Sequence, residues 1–274
     1  MLLQFIGLAI AGVVIGILSG LLGIGGGTVM VPTLRLVFGL PAMSSTATSL
    51  FSMIFSSISG SVAHIRQKTC IPLLGVILGV GGALTSPLGV QLAEVSPTWA
   101  IMLVAALIIG YSAFNMLRKA LKMPKGSAKA AKEGGAAHTP QPADEPAYHL
   151  SAKRIVGAVC IGLVAGLCAG YIGVGGGFIM VPMMTGFLGV AMRRASGTSL
   201  IAIIILSIPG VISQALLGNV DFAAGIALAV GSIPGAVLGA RLVKVVPERQ
   251  LRFLFAIFLF IAAVVLLLNE FGAL

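Results

Sequence analysis

The sequence predicts an all-α polytopic membrane protein, and three observations carry this prediction. The first is composition: 58% of the 274 residues are hydrophobic and only 9% are charged, whereas soluble domains carry about 25% charged residues. The second is that charges are nearly absent from several stretches close to the roughly 20 residues that a helix needs to cross a bilayer. The third is a glycine-rich motif that occurs twice and predicts two homologous halves. The uncharged stretches are residues 2–22, 71–93, 98–117, 155–172, 222–240 and 253–268.

The duplicated motif aligns the two halves at one fixed offset. Residues 20–32 read GLLGIGGGTVMVP and residues 170–182 read GYIGVGGGFIMVP, an offset of 150. Chance similarity between apolar segments would not keep glycine, proline and Thr-Ser pairs in a single register, so we predict two membrane repeats, residues 1–118 and 153–274. The same offset aligns Thr48, Ser49 and Leu50 with Thr198, Ser199 and Leu200, Gly60 with Gly210, and Pro97 with Pro247.

The segment between the repeats, residues 119–152, differs sharply in composition. It is rich in Lys, Ala, Gly and Pro and contains no apolar run. Such a segment cannot bury enough apolar surface to fold alone. Because basic segments beside membrane spans stay on the cytoplasmic side, we predict a flexible basic cytoplasmic linker.

Each half divides into five apolar elements, of which the second is unusual. Four of the five are long enough to span a bilayer as helices. The second begins with the glycine cluster, which leaves about 13 residues, or roughly 20 Å of helix, against a core of about 30 Å. Pro32 and Pro182 interrupt it further, and we predict a broken or re-entrant helix. The elements are 2–22, 23–41, 44–65, 71–93 and 98–118, then 154–172, 173–191, 195–217, 222–243 and 250–269.

The placement of basic residues distinguishes two topologies. If the broken element crosses the membrane, each half has five crossings and the halves are inverted relative to each other. Arg66, Arg193 and Arg249 then lie on the cytoplasmic side and both termini lie outside. If the element only dips into the membrane, each half has four crossings and the basic residues of the second half lie outside. The positive-inside rule therefore favours inverted repeats.

The two glycine clusters, Gly25–Gly27 and Gly175–Gly177, are the strongest candidate for a binding site. Glycine allows the backbone to leave the helix and to approach a ligand closely. The apolar run after each cluster starts a new helix near Thr28 or Phe178, and a helix N-terminus binds anions through its free N–H groups. Paired interrupted segments at matching positions are typical of a transporter's central site. The alternative is close helix packing through small residues.

A hydroxyl pair follows each glycine cluster. Thr48 and Ser49 in the first half correspond to Thr198 and Ser199 in the second. We expect these hydroxyls to donate hydrogen bonds to an anionic substrate. Equally, serine and threonine in membrane helices often bond to their own helix and have no further role.

Charged residues near the membrane interior are few. Arg35 lies within the first broken element. It either extends to the membrane surface or steers anions toward the site. Carboxylates are missing from the middle of every span, which argues against a carboxylate proton relay or cation site. No enzyme motif, metal-ligand spacing or cofactor motif is present, and interleaved aromatics that would indicate nucleic-acid binding are also missing. We expect no enzymatic activity, no cofactor, and only a small anion and membrane lipid as partners.

The doubled pattern GIGGGTVMVP and GVGGGFIMVP, each followed by Thr-Ser-Leu, resembles the sulfite exporter TauE/SafE family of membrane permeases. The resemblance covers both halves. It implies a multi-pass protein of the bacterial inner membrane that transports a sulfur-containing anion such as sulfite or an organosulfonate. It also implies that the site region comprises the residues matching the family pattern, namely Gly25–Gly27, Gly175–Gly177, Pro32, Pro182 and the two Thr-Ser pairs.

Export is the direction that the sequence favours. A monoanion leaving a cell at −100 mV gains about 2.3 kcal/mol, so export requires no coupling ion. The alternatives are an organosulfonate uptake permease, which would need a coupling ion, and an anion channel or a membrane scaffold without carrier activity.

Overall fold

The computed structural model describes residues 2–122 and 151–270, and within these ranges the chain is all-helical. The first half contains α1 (Leu2–Leu22), α2 (Gly27–Pro32, continued by a π-helical turn at Thr33–Val37), α3 (Ala42–Arg66), α4 (Pro72–Val95) and α5 (Thr98–Lys122). The second half contains α6 (Ala152–Ile172), α7 (Gly177–Phe187), α8 (Met192–Leu216), α9 (Phe222–Leu242) and α10 (Glu248–Glu270). The prediction of an all-α polytopic fold is confirmed.

The helices of the two halves begin at corresponding positions. Every helix from α6 to α10 starts 150 residues after its counterpart among α1 to α5. Over the part of the chain that the structure describes, seven helices are long and apolar enough to cross a membrane, namely α1, α3, α4, α5, α6, α8 and α9. The shorter α2 and α7 are the two elements that the sequence predicts to be broken.

Both boundaries of the predicted linker overlap a helix. Residues 119–122 form the last turn of α5, and Ala152 is the first residue of α6. The sequence of residues 119–122, Lys-Ala-Leu-Lys, consists of strong helix formers. Ala120 is buried, and its carbonyl accepts a hydrogen bond from Arg249 at 3.4 Å. Residues 123–150 of the predicted linker lie outside the described residues.

Corresponding helices of the two halves run in opposite directions. Gly60 on α3 packs against Leu200 on α8, and Gly210 on α8 packs against Leu50 on α3. Because residue numbers rise along one helix as they fall along the other, α3 and α8 cross antiparallel. Their contact passes through the middle of both helices.

The remaining long helices interlock the halves. Gly12 of α1 packs on Leu228 of α9, and Gly20 of α1 packs on Ala236, so α1 and α9 run parallel in close contact. The equivalent pair, α6 and α4, packs the same way. Glycine allows the two backbones to approach closely, as is common in membrane helix pairs. The first helix of each half is therefore held by the fourth helix of the other half.

The broken element of the first half runs from the end of α1 back to the side where α1 begins. Its first residue, Gly23, packs against Ser196 near the start of α8, whereas Phe38 at its far end packs against Gly7 near the start of α1. The segment therefore returns to the side where α1 began. The broken element of the second half follows the equivalent path, because Gly173 packs against Thr46 near the start of α3 and Leu188 packs against Gly157 near the start of α6. Each half therefore makes five passes across the helical layer, as the inverted arrangement requires.

The directions of the helices place most of the described basic residues at one end of the molecule and two of the three described carboxylates at the other. One end carries the residues at the close of α3, α5 and α9 and at the start of α6, α8 and α10. The opposite end carries Glu94 and Asp221, where α4 ends and α9 begins. Among basic residues whose side chains the structure describes, Arg35 alone lies toward the acidic end. The other basic residues are Arg66, Lys68, Arg118, Lys153, Arg154, Arg193, Arg194, Arg241, Lys244, Arg249 and Arg252.

Candidate functional site

The backbone at each helix break requires glycine. The φ angles of Gly23, Gly25 and Gly26 are 73°, 81° and 89°, in a region that L side chains rarely adopt. Gly173 and Gly175 have φ angles of 72° and 67°. The breaks are therefore encoded locally, and α2 and α7 begin in the interior rather than at the membrane surface.

The two breaks contact each other. A side chain added to Gly27 would collide with the backbone of Val174, and one added to Gly177 would collide with the backbone of Gly23 and Ile24. The first residues of α2 and α7 are thus packed together across the two halves. The structure therefore brings together the two glycine clusters that the sequence predicts as one site.

Two side chains fill the space between the breaks. Met53 of α3 and Ile203 of α8 are fully buried, and both lie against Gly25 and against Gly175. The hydroxyl of Ser56, on the same helix as Met53, donates to the carbonyl of Gly25 at 3.2 Å. The centre is therefore packed in this conformation.

The starts of α2 and α7 have backbone N–H groups that lack an acceptor within their own helix. The first hydrogen bonds of α2 run from Val29 and Met30 to the carbonyl of Gly26, at 3.0 and 2.9 Å. In α7 the corresponding bonds run to the carbonyl of Gly176. The N–H groups that precede them have no acceptor within their own helix. Each helix start therefore carries roughly half a positive charge.

The hydroxyls of Ser49 and Ser199 each donate a hydrogen bond to a backbone carbonyl of a helix break. The hydroxyl of Ser49 donates to the carbonyl of Gly173, and the hydroxyl of Ser199 donates to the carbonyl of Gly23, each at 2.6 Å. These bonds anchor the break of the opposite half. The structure therefore uses both hydroxyls differently from the sequence-based expectation that they face an anion.

Thr48 and Thr198 do not reach the centre. The hydroxyl oxygen of Thr48 accepts from the backbone N–H of Asp221 at 3.0 Å, and that of Thr198 accepts from the N–H of Ile71 at 2.9 Å. These bonds hold the starts of α9 and α4, which lie at opposite ends of the molecule. In this conformation the two threonines position helices and do not converge on one site.

Thr28 remains a candidate site residue. It is fully buried at the start of α2, and its hydroxyl has no hydrogen-bond partner. Ser19, beside Gly26, is also buried without a partner for its hydroxyl. Both hydroxyls are near the first break and add polar character there.

Sequence reasoning missed Ser57 and Ser207. Both are fully buried, and neither hydroxyl has a partner. They are 150 residues apart, so the repeat alignment held a signal that could have found them.

Arg35 lies in the π-helical turn that ends the first broken element. It is partly buried, and its counterpart in the second half is Thr185. Its place on the chain separates it from Gly27 by most of the length of the short helix, so it is not part of the packed centre.

Within residues 2–122 and 151–270, no group of three or more His, Cys, Asp or Glu side chains could hold a metal ion. The three cysteines are free thiols, and Cys160 is exposed.

Comparison with known proteins gives a consistent result. A family profile described as "Sulfite exporter TauE/SafE" matches residues 8–266. The chain is 29% identical to "Probable membrane transporter protein YdhB" of Bacillus subtilis, over 87% of this chain and 90% of that protein. It is 24% identical to "Probable membrane transporter protein MJ0441" of Methanocaldococcus jannaschii, over 95% and 94% of the two chains. A 70-residue stretch is 40% identical to "Sulfite exporter TauE/SafE family protein 3" of Arabidopsis thaliana, covering 25% of this chain and 14% of that one. No solved structure matches.

Proposed function

The chain belongs to the sulfite exporter TauE/SafE family of multi-pass membrane transporters, and from this premise we propose that it exports a small sulfur-containing anion such as sulfite or an organosulfonate. The site that we propose for this anion lies between the two helix breaks. It comprises the backbone of Gly25–Gly27 and Gly175–Gly177 together with the hydroxyl of Thr28.

One observation carries the proposal: the N-terminal ends of α2 and α7 pack against each other at the centre of the helical layer. Two helix starts there repel each other weakly through their like partial charges. An anion between them would be attracted by both. Irregular backbone at this depth is stable only where protein covers it or where it lines a cavity, and a transport path that opens between the breaks meets that condition.

The site requires no buried cation. A helix start contributes typically about 0.3–1 kcal/mol to anion binding at an exposed position and up to about 2 kcal/mol when partly buried. Two such ends shielded from water suffice for weak, reversible binding of an oxyanion, which is what a carrier needs. The described basic side chains other than Arg35 lie at one end of the molecule, where they would attract anions electrostatically.

Membrane potential supports export as the direction. Each negative charge that leaves a cell at −100 mV gains about 2.3 kcal/mol. The carboxylates whose side chains the structure describes, Glu94, Asp221 and Glu248, lie at or next to helix ends. A proton or cation coupled to transport would need a carboxylate within a span, and these three do not supply one. Uniport of the anion down its electrochemical gradient is therefore the mechanism that the described residues support best.

Flux in proteoliposomes tests the proposal. Purified protein is reconstituted, sulfite is loaded inside, and a potassium–valinomycin gradient sets the interior negative. We expect saturable sulfite efflux that accelerates with potential, is inhibited by organosulfonates and is absent from protein-free vesicles. Efflux that never saturates would indicate a channel. Flux that depends on an added proton or sodium gradient and runs inward would indicate an uptake permease, and absence of flux would indicate a scaffold.

A further inference from the structure

The hydroxyls of Ser57 and Ser207 are polar groups that the fold leaves without partners. Both residues are fully buried, Ser57 on α3 and Ser207 on α8. A buried donor without an acceptor is costly, and more so in a membrane, where water cannot replace the acceptor. A pair of such groups at positions 150 apart therefore requires a physical reason.

Their own helices do not supply the missing acceptor, although they could. Serine in a helix commonly donates to a carbonyl one turn earlier. On α3, Ser61 donates to the carbonyl of Ile58 at 2.9 Å. On α8, Ser213 donates to the carbonyl of Pro209 at 3.0 Å. Ser57 and Ser207 form no such bond, so their hydroxyls are available to another group.

The helical register places both hydroxyls beside the packed centre. Ser57 lies one turn after Met53 and three residues before Gly60, which contacts Leu200 of α8. Residues spaced by three and four share one face of a helix, so Ser57 belongs to the face of α3 that meets α8.

The same register holds for the second serine. Ser207 lies one turn after Ile203 and three residues before Gly210, which packs against Ser86 of α4 and lies next to Leu50 of α3. Ser207 thus belongs to the part of α8 that meets both α3 and α4. Met53 and Ile203, the neighbours of the two serines, are the side chains that contact both helix breaks.

We propose that Ser57 and Ser207 bind the transported anion directly, each donating its hydroxyl hydrogen to an oxygen of a pyramidal or tetrahedral oxyanion. This inference rests on the proposed function and adds two side-chain ligands to it. An oxyanion with three oxygens can accept from both hydroxyls and from the N–H groups of a helix start at once. A hydroxyl can also accept from the O–H of a protonated form such as bisulfite.

The binding mode predicts selectivity. The donors are all uncharged, so affinity depends on the number of acceptor oxygens and not on pairing with a cation. Chloride, which lacks separate acceptor atoms, would gain less from two spaced donors than sulfite does. Movement of Met53 and Ile203 away from Gly25 and Gly175 would expose both hydroxyls together.

Alanine variants with matched controls test the inference. We compare Ser57→Ala, Ser207→Ala and the double variant with Ser61→Ala and Ser213→Ala, whose hydroxyls already have partners on the same two helices. Sulfite binding to purified protein is measured by titration calorimetry and by the rise in melting temperature that a ligand causes. The double variant should bind sulfite about tenfold more weakly or worse, and the controls should stay within about twofold.

The melting temperature without sulfite separates binding from folding. Removing a buried hydroxyl that has no partner should leave it unchanged or raise it. A double variant with an unchanged melting temperature that still binds sulfite like the wild type would overturn this inference and leave the proposed function intact. A large loss of stability in both single variants would show that the hydroxyls have structural partners, which also overturns it. Wild-type protein that neither binds nor transports any sulfur oxyanion would overturn both proposals.

Discussion

The hydroxyl of Ser199 lies 2.6 Å from the carbonyl oxygen of Gly23, so a side chain of one half secures the helix break of the other. Ser49 secures the carbonyl of Gly173 in the same way. A helix break leaves backbone groups without intrahelical partners, and in a membrane each unpaired group costs several kcal/mol. These two hydrogen bonds therefore stabilise the breaks through contacts between the halves.

Removing either hydroxyl should therefore destabilise the protein. We expect Ser49→Ala and Ser199→Ala each to lower the free energy of unfolding by about 1–3 kcal/mol, because each leaves a buried carbonyl without its donor. Thermal unfolding in detergent measures the effect. Ser61→Ala is the control, because its hydroxyl bonds only within its own helix. Equal melting temperatures for all three variants would show that the bonds across the halves contribute nothing.

The glycines of the breaks should tolerate no side chain. Gly26 has a φ of 89° and faces Ile15, so Gly26→Val combines backbone strain with a steric clash. Gly176 has an ordinary φ of −50°, and Gly176→Val acts only through its clash with Ala165. We expect both variants to insert into membranes and to lose sulfite flux.

Gly110→Ala is the matched control for these variants. Gly110 lies in the middle of α5, and a Cβ there would meet nothing within 4 Å. Its flux should equal that of the wild type. If Gly26→Val and Gly176→Val transport as well as Gly110→Ala does, the glycines serve only helix packing and the proposed site is wrong.

The orientation in the membrane follows from the sorted charges. The end that carries Arg66, Arg193 and Arg249 should be cytoplasmic, since basic residues are retained on that side. α10 begins at this end, where Glu248 accepts from the backbone N–H of Met192, and it runs away from it. A reporter fused after Leu274 should therefore be active only if it works in the periplasm. Activity of a cytoplasmic reporter at the same position would exclude ten crossings.

The sequence predicted the helices well because their signals are local. Long apolar runs, the glycine clusters around Gly25 and Gly175, and prolines at fixed positions define elements regardless of what surrounds them. It did not predict the partners of Ser49 and Thr48, because these are backbone groups of the other half, Gly173 before α7 and Asp221 before α9. Whether a hydroxyl bonds to the protein's own backbone or remains available to a substrate depends on contacts between residues far apart in the sequence.

Cys70 provides a prediction about pH. It lies in the turn between α3 and α4, and burial raises the pKa of its thiol to about 11. The thiolate, which is the reactive form, is therefore scarce at neutral pH. In protein lacking Cys160 and Cys168, we expect slow maleimide labelling that accelerates about tenfold per pH unit from 7 to 9, as first-order dependence on thiolate requires. Arg66→Cys in the same background, at an exposed position, should label quickly at pH 8. Equal rates at both positions would show that Cys70 is accessible and ordinary.

The role of Arg35 tests whether helix ends or a side-chain charge hold the anion. Arg35 follows Gly27 by eight residues, about 12 Å along a helix at 1.5 Å per residue, so its guanidinium belongs to a different turn of the element from the helix start. Its charge should therefore add little to binding at the breaks and act mainly on the rate of encounter. We expect Arg35→Gln to bind sulfite within about twofold of the wild type and to show a weaker dependence of flux on ionic strength. Arg66→Gln, at the opposite end, is the control for nonspecific loss of positive charge. If Arg35→Gln loses sulfite binding while Arg66→Gln retains it, a guanidinium holds the anion and the helix ends do not.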